Sequence, residues 1–118
     1  MMYQSTVVTY EALKSIDSAS FTGSYQAIGT ATSHEARIFK IVNNSNVGVT
    51  ISIDGSTDMD YIPASTFVLY DLGTNRGNPT ASLVLQRGTQ FYIKGAGGTG
   101  LVYAIVMYGN TPTQTIPL

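Results

Sequence analysis

Short runs of β-branched and aromatic residues, broken roughly every 8–12 positions by turn residues, most narrow what this chain can fold into. The clearest run is Val47-Gly48-Val49-Thr50-Ile51-Ser52-Ile53-Asp54. Val47, Val49, Ile51 and Ile53 point one way, and Gly48, Thr50, Ser52 and Asp54 the other. Period two describes a strand with one buried face. Upstream, Ala36 to Val42 reads as its hairpin partner. Asn43-Asn44-Ser45-Asn46 is the turn between them, because asparagine tolerates left-handed backbone and bonds to its own main chain. Further strands are expected at Thr66 to Leu72, Ser82 to Gln86, Gln90 to Lys94 and Leu101 to Tyr108. Gln86-Arg87-Gly88-Thr89 is expected to be a tight hairpin turn between the middle pair, and Pro63 and Pro79 fall in gaps where a missing N–H does no harm. Thr6 to Tyr10 and Ser24 to Ile28 read as extended, while Tyr10 to Lys14 is compatible with one helical turn. No long helical period interrupts this cadence. The expected fold is all-β: a single-domain β-sandwich, jelly-roll-like, of about eight short antiparallel strands. It would occupy residues 1–110, with residues 111–118 as an extended C-terminal arm.

Composition sets the limits on function. Of 118 residues, 43% are hydrophobic, enough for a core, while only 11% are charged against about 25% in an ordinary soluble domain. Serine, threonine and glycine dominate the rest. Six basic residues, well spaced, make a poor duplex-DNA surface, so no nucleic-acid partner is expected. Without cysteine, no disulfide, thiolate nucleophile or sulfur-ligated metal can form. Met1 to Ser5 lack a basic and an apolar signal region, and the longest apolar run is far short of the roughly 20 residues a membrane helix needs. No membrane partner is expected.

Chemical motifs are few. Gly95-Ala96-Gly97-Gly98-Thr99-Gly100 spells G-x-G-x-x-G, but a dinucleotide site needs a helix after it, and Leu101 to Tyr108 is strand-like. A loop between strands is the expected reading. Asp54, Asp58 and Asp60 place three carboxylates in one loop, in an order that does not match an EF-hand. His34 is the sole histidine, too few for a multi-histidine metal site, and no G-x-S-x-G elbow is present. Asn43-Asn44-Ser45 is formally a glycosylation acceptor, with a tight turn the better explanation. These observations assign no catalytic residue, no metal and no cofactor, and the chain reads as non-enzymatic.

One strand exceeds what a small sandwich requires. Leu101, Tyr103, Ile105 and Met107 line one side of the last strand; Val102, Ala104, Val106 and Tyr108 line the other. A two-layer sandwich needs one apolar face per strand, so something must cover the second: the N-terminal segment or a neighbouring subunit. Val102, Ala104, Val106 and Tyr108 are the candidate assembly interface. With few charges to guard sheet edges, a homo-oligomer is expected.

Several stretches together resemble small virion structural proteins, capsid- or tail-associated, of tailed bacteriophages. They are Ser24 to Thr30, Ile38 to Gly55, Asp60-Tyr61-Ile62-Pro63-Ala64, Leu69-Tyr70-Asp71-Leu72 and Gly88 to Gly95. The resemblance implies a β-sandwich building block repeated in symmetric copies, without cofactor, located in the virion. Its partners would be coat, portal or tail subunits. The leading expectation is a capsid decoration or cement subunit, with a head-to-tail connector or tail component as the alternative. A carbohydrate-binding jelly-roll module for host attachment, gripping sugars with tyrosine-lined loops, is the second class.

Overall fold

The structure is a computed structural model that describes residues 7–72 and 84–110. The expected arm at 111–118 and the first two residues of the strand expected at Ser82 to Gln86 lie outside the described residues; of the remaining three, Leu85 forms a single bridge to Ala36 rather than a strand. Nine strands are described: β1 (Val7–Tyr10), β2 (Lys14–Asp17), β3 (Gln26–Ala27), β4 (Ile38–Ser45), β5 (Val49–Ser52), β6 (Asp60–Ile62), β7 (Thr66–Asp71), β8 (Tyr92–Gly95) and β9 (Gly100–Asn110). They form two antiparallel sheets. One has the order β1-β9-β4-β7, with β2 also on β9; the other has the order β3-β8-β5-β6. β1 and β2 lie end to end along one edge of β9, pairing its residues 107–110 and 101–104. The pairs are nested: β1 and β2 with β9, β3 with β8, β4 with β7, β5 with β6. Folding that nest over, so that β4 meets β9 and β5 meets β8, gives a jelly roll.

The strand-by-strand expectations meet two corrections. Ala36 to Val42 and Val47 to Asp54 do not form a hairpin. β4 runs on through Asn43 to Ser45, and β5 then enters the opposite sheet. Asn43, expected in a turn, is fully buried inside β4. Its Nδ2 donates to the carbonyls of Val47, Ile62 and Pro63 at 2.8–3.1 Å, and its Oδ1 accepts from the backbone N–H and hydroxyl of Ser45. A buried amide is tolerated only when satisfied in this way, and here it ties the two sheets together where the chain crosses. Tyr10 to Lys14 is not helical. Register shifts from Tyr10↔Met107 to Lys14↔Ala104, four residues against three, so the edge strand carries a bulge that turns both Glu11 and Lys14 inward.

The last sheet crossing, β8 to β9, contains the G-x-G-x-x-G segment. It leads into a strand, and it rests on the β4-to-β5 crossing. Asn46 N–H donates to the Thr99 carbonyl at 3.1 Å, and Thr99 N–H donates to Asn46 Oδ1 at 2.8 Å. Gly100 has φ +112°, and a Cβ there would lie 2.2 Å from the Asn44 carbonyl. At Gly98 a Cβ would strike Asn46 and Val47. These glycines permit close backbone approach, a structural use of a nucleotide-like pattern.

Between the sheets, Phe39, Ile41, Val102, Ala104 and Val106 of one layer face Val49, Ile51, Ile62, Phe91 and Ile93 of the other, all buried. Phe39 spans the layers, stacked on Tyr70 at 4.5 Å and tilted against Phe91 at 5.3 Å. Each such fully buried side chain stabilises the fold by about 1.5–3 kcal/mol relative to exposure.

Candidate assembly face

The two faces of β9 differ in what covers them. Val102, Ala104 and Val106, expected at an assembly interface, are 0–1% exposed in the chain's own core. That expectation is corrected. β9 is flanked by β4 on one side and β1 and β2 on the other, and the four-stranded sheet covers its inner face. Tyr108, the fourth residue named, is half-buried, its ring stacked flat on His34 at 3.7 Å between centroids. The second apolar face required by the sequence exists, but it is the opposite one.

That outer face is built row by row across the five-stranded sheet. Phe67, Val42 and Tyr103 share one row; Leu69, Lys40 and Ile105 the next; Ile38, Met107 and Tyr10 a third. Leu101 continues the surface beside Asn44. Phe67 is 65% exposed, Tyr10 61%, Leu69 55% and Leu101 37%. Between them Ile38, Val42, Tyr103, Ile105 and Met107 are half-buried against one another. Lys40 stands in the middle, its Nζ 5.8 Å from the centre of the Phe67 ring. Asp71 beside Ile38, Ser15 beside Tyr103, and Asp17 and Asn44 beside Leu101 stand on the same face, so its centre is apolar apart from Lys40 and its edges are polar. Its β7 half was legible in the sequence: Phe67-Val68-Leu69-Tyr70 is apolar on both sides, the same signal that singled out the last strand.

His34 joins a different cluster. The bulge turns Glu11 inward, where its carboxylate accepts from the backbone N–H groups of Ser33 and His34 at 3.0–3.3 Å. His34 Nδ1 lies 3.1 Å from the same carboxylate, and Lys14 Nζ 3.6 Å. Side chains of Glu11 and Lys14 are about 95% buried (4% and 5% exposed). This arrangement staples the edge strand to the 33–34 loop, a structural use of the lone histidine.

The three loop aspartates go to three separate partners. Asp54 accepts from the N–H groups of Ser56 and Thr57 and from the hydroxyls of Thr57 and Ser52, at 2.7–2.8 Å. Those bonds, the two backbone ones foremost, hold its carboxyl well below the usual range. Asp58 pairs with Lys94 at 2.8 Å and accepts from the Tyr25 hydroxyl at 2.5 Å. The Lys94 bond first and the Tyr25 bond second lower its carboxyl. Asp60 accepts from Tyr70, whose hydroxyl is pushed up by burial and then by that bond. No group of three metal-binding side chains gathers among the described residues. Asn43 of the Asn43-Asn44-Ser45 triplet has its amide fully engaged in the interior, so it presents no sugar acceptor.

Compared with protein-family models, with curated proteins and with solved structures, the chain matches none.

Proposed function

We propose that this protein is a non-enzymatic structural subunit of a virion, of the kind found in tailed bacteriophages, working in symmetric copies. The observation that carries the reading is the apolar outer face of the five-stranded sheet, centred on Phe67, Leu69, Tyr103 and Ile105. The surface chemistry of that face favours permanent burial, and a second copy of this chain is its occupant. Two further considerations support the reading: the sequence resemblance, and a jelly-roll topology, which is widespread among viral coat domains. Fold by itself does not assign function, so the weight rests on the face.

Within the virion, capsid decoration comes first, because a cement subunit works by laying flat surface against its neighbours and needs no reactive group. A head-to-tail or tail position follows from the same face with a different neighbour. The test is proteomic and structural: purified particles should contain the protein at a fixed copy number in symmetric positions, with the Phe67 and Ile105 surface buried. Particles lacking it, or holding it with that surface open to solvent, would overturn the reading.

A further inference from the structure

The opposite side of the molecule has another chemistry. Three tyrosines stand on or beside the outer face of the four-stranded sheet. Tyr61 of β6 pairs across to Thr50 of β5, Thr50 pairs to Lys94 of β8, and Tyr25, just before β3, closes the row. Three strand spacings separate Tyr61 from Tyr25, about 14 Å. Tyr92 stands two residues from Lys94 on the same face of β8. The loop after β5 curls over this surface and delivers Asp58 to Lys94.

Two glycines set the rings in place. A Cβ at Gly48 would fall 1.9 Å from the Tyr61 hydroxyl, so the phenol lies across bare backbone. A Cβ at Gly55 would sit 3.5 Å from three atoms of the Tyr92 ring, so that glycine backs the ring. Tyr61 nevertheless remains 61% exposed. Lys94 lies 4.7 Å above the Tyr25 ring, which fixes the ammonium beside the carboxylate.

The polar groups on this face are left with capacity. Asp58 Oδ1 takes both Lys94 and Tyr25, while its Oδ2 takes no hydrogen bond from the described residues. The hydroxyls of Tyr61, Tyr92 and Thr50 take none either. The face therefore combines backed aromatic rings with one cationic donor and one anionic acceptor side by side.

We propose that this face binds a neutral oligosaccharide, stacking pyranose rings on Tyr61 and Tyr92 while Lys94 and Asp58 hold a pair of adjacent sugar hydroxyls. An aromatic face is electron-rich and attracts the weakly positive C–H groups of a sugar ring. A vicinal diol offers one hydroxyl to accept from Lys94 Nζ and another to donate to Asp58 Oδ2, both charge-assisted bonds. The Lys94–Asp58 pair carries no net charge and so offers acidic or basic sugars no net attraction, which favours a neutral ligand. Tyr61 and Tyr92 stand two strand spacings apart, about 10 Å across the sheet, which accommodates a short oligosaccharide rather than a single sugar. The proposal is independent of the assembly face and stands or falls without it.

The test is a glycan array carrying neutral and acidic oligosaccharides, followed by calorimetric titration of the strongest neutral ligand into the full chain. Saturable binding to at least one neutral glycan is expected. It should weaken about tenfold in Tyr61→Ala and in Asp58→Asn and persist in Tyr61→Phe, which keeps the ring. Both Tyr61 variants should keep the wild-type melting temperature, Asp58→Asn should melt slightly earlier for want of its bonds to Lys94 and Tyr25, and all three should stay folded with the wild-type oligomeric state, which separates loss of the site from loss of fold. Binding confined to acidic glycans, no binding to any neutral glycan, or neutral binding unchanged in folded Tyr61→Ala overturns the proposal.

Discussion

The outer faces of the two sheets obey the same alternation and reach opposite results. On the five-stranded sheet, Phe67, Leu69, Tyr103 and Ile105 surround a single cation, Lys40. On the four-stranded sheet, Tyr61, Tyr92 and Thr50 surround an ion pair, and a loop organised by Asp54 folds over them. Both faces expose aromatic carbon. What differs is where the polar groups stand: on the first face Asp71, Asn44, Ser15 and Asp17 lie around a centre of Phe67, Leu69, Tyr103 and Ile105 that holds Lys40 alone, whereas on the second the Lys94–Asp58 pair stands among the tyrosines. A mainly apolar centre gains by excluding water, whereas hydroxyls and charges set among aromatic rings can exchange water for another hydroxylic partner.

The sharpest way to break this comparison is to move a charge through β9. Val106→Asp places a carboxylate in the sealed core and should cost roughly 3–5 kcal/mol, enough to unfold the chain by circular dichroism. Ile105→Asp, one residue along and on the outer face, should fold normally. If both variants fold, the inner face is not the core it is described to be.

Next in size is the sheet crossing that both faces depend on. Asn43→Ala leaves three carbonyls and Ser45 without their partner, and should lower stability by about 2–4 kcal/mol in urea titration. A loss below about 0.5 kcal/mol would mean the crossing is held by other contacts.

Phe67→Asp with Leu69→Asp should change stability by no more than about 0.5 kcal/mol each, since both side chains are exposed. Sedimentation velocity should nonetheless show the self-associated species of the wild type replaced by monomer. A wild type that stays monomeric at high concentration removes the second copy as occupant of this face.

The smallest effects are titrations on the tyrosine face. Desolvation, with Asp58 as hydrogen-bond and charge partner, pushes the Tyr25 hydroxyl up to about 12. Its folded pKa is thus raised above the ordinary phenol value of about 10, so its contribution is intact below that value and lost as pH rises toward 12. Absorbance at about 295 nm should lose one late phenolate step in Tyr25→Phe. For Asp58 the sign reverses: a lowered carboxyl contributes above the ordinary value of about 4 and loses its contribution as pH falls below it. Amide exchange in the 53–58 loop should therefore stay slow at pH 5, and faster exchange already at that pH would show that Asp58 does not anchor the loop.

How far the sequence could be read depended on whether a feature was local. The β7 strand at Thr66–Asp71 follows from residue type and spacing, and the structure has it; a turn also stands at Gln86 to Thr89, but the hairpin expected around it does not form, because β8 pairs with β3 and β5 while Leu85 bridges to Ala36. The hairpin between the Ala36 and Val47 segments does not, because alternation identifies a strand without saying which strand it pairs with. Asn43 shows the same limit: an asparagine preferring turns in isolation becomes a strand residue when five hydrogen bonds await it inside. The tyrosine face stayed hidden because its members come from β6, β8 and the segment before β3, far apart along the chain.

By itself the sequence determined an all-β sandwich of short strands, a glycine-rich segment too strand-bound for a dinucleotide, and a last strand with two apolar sides. Period-two alternation, glycine at close approach and the absence of helical period are properties of neighbouring residues, and the chain carries them wherever it goes. Only the tertiary structure decided which side of β9 is core. Flipping the strand would exchange Val102, Ala104 and Val106 for Tyr103, Ile105 and Met107, a second largely apolar set that brings a phenol hydroxyl with it. The choice falls to shape: the small Ala104 and the two valines fit against a second sheet that already holds Phe91 and Ile93, and the larger residues are left outside.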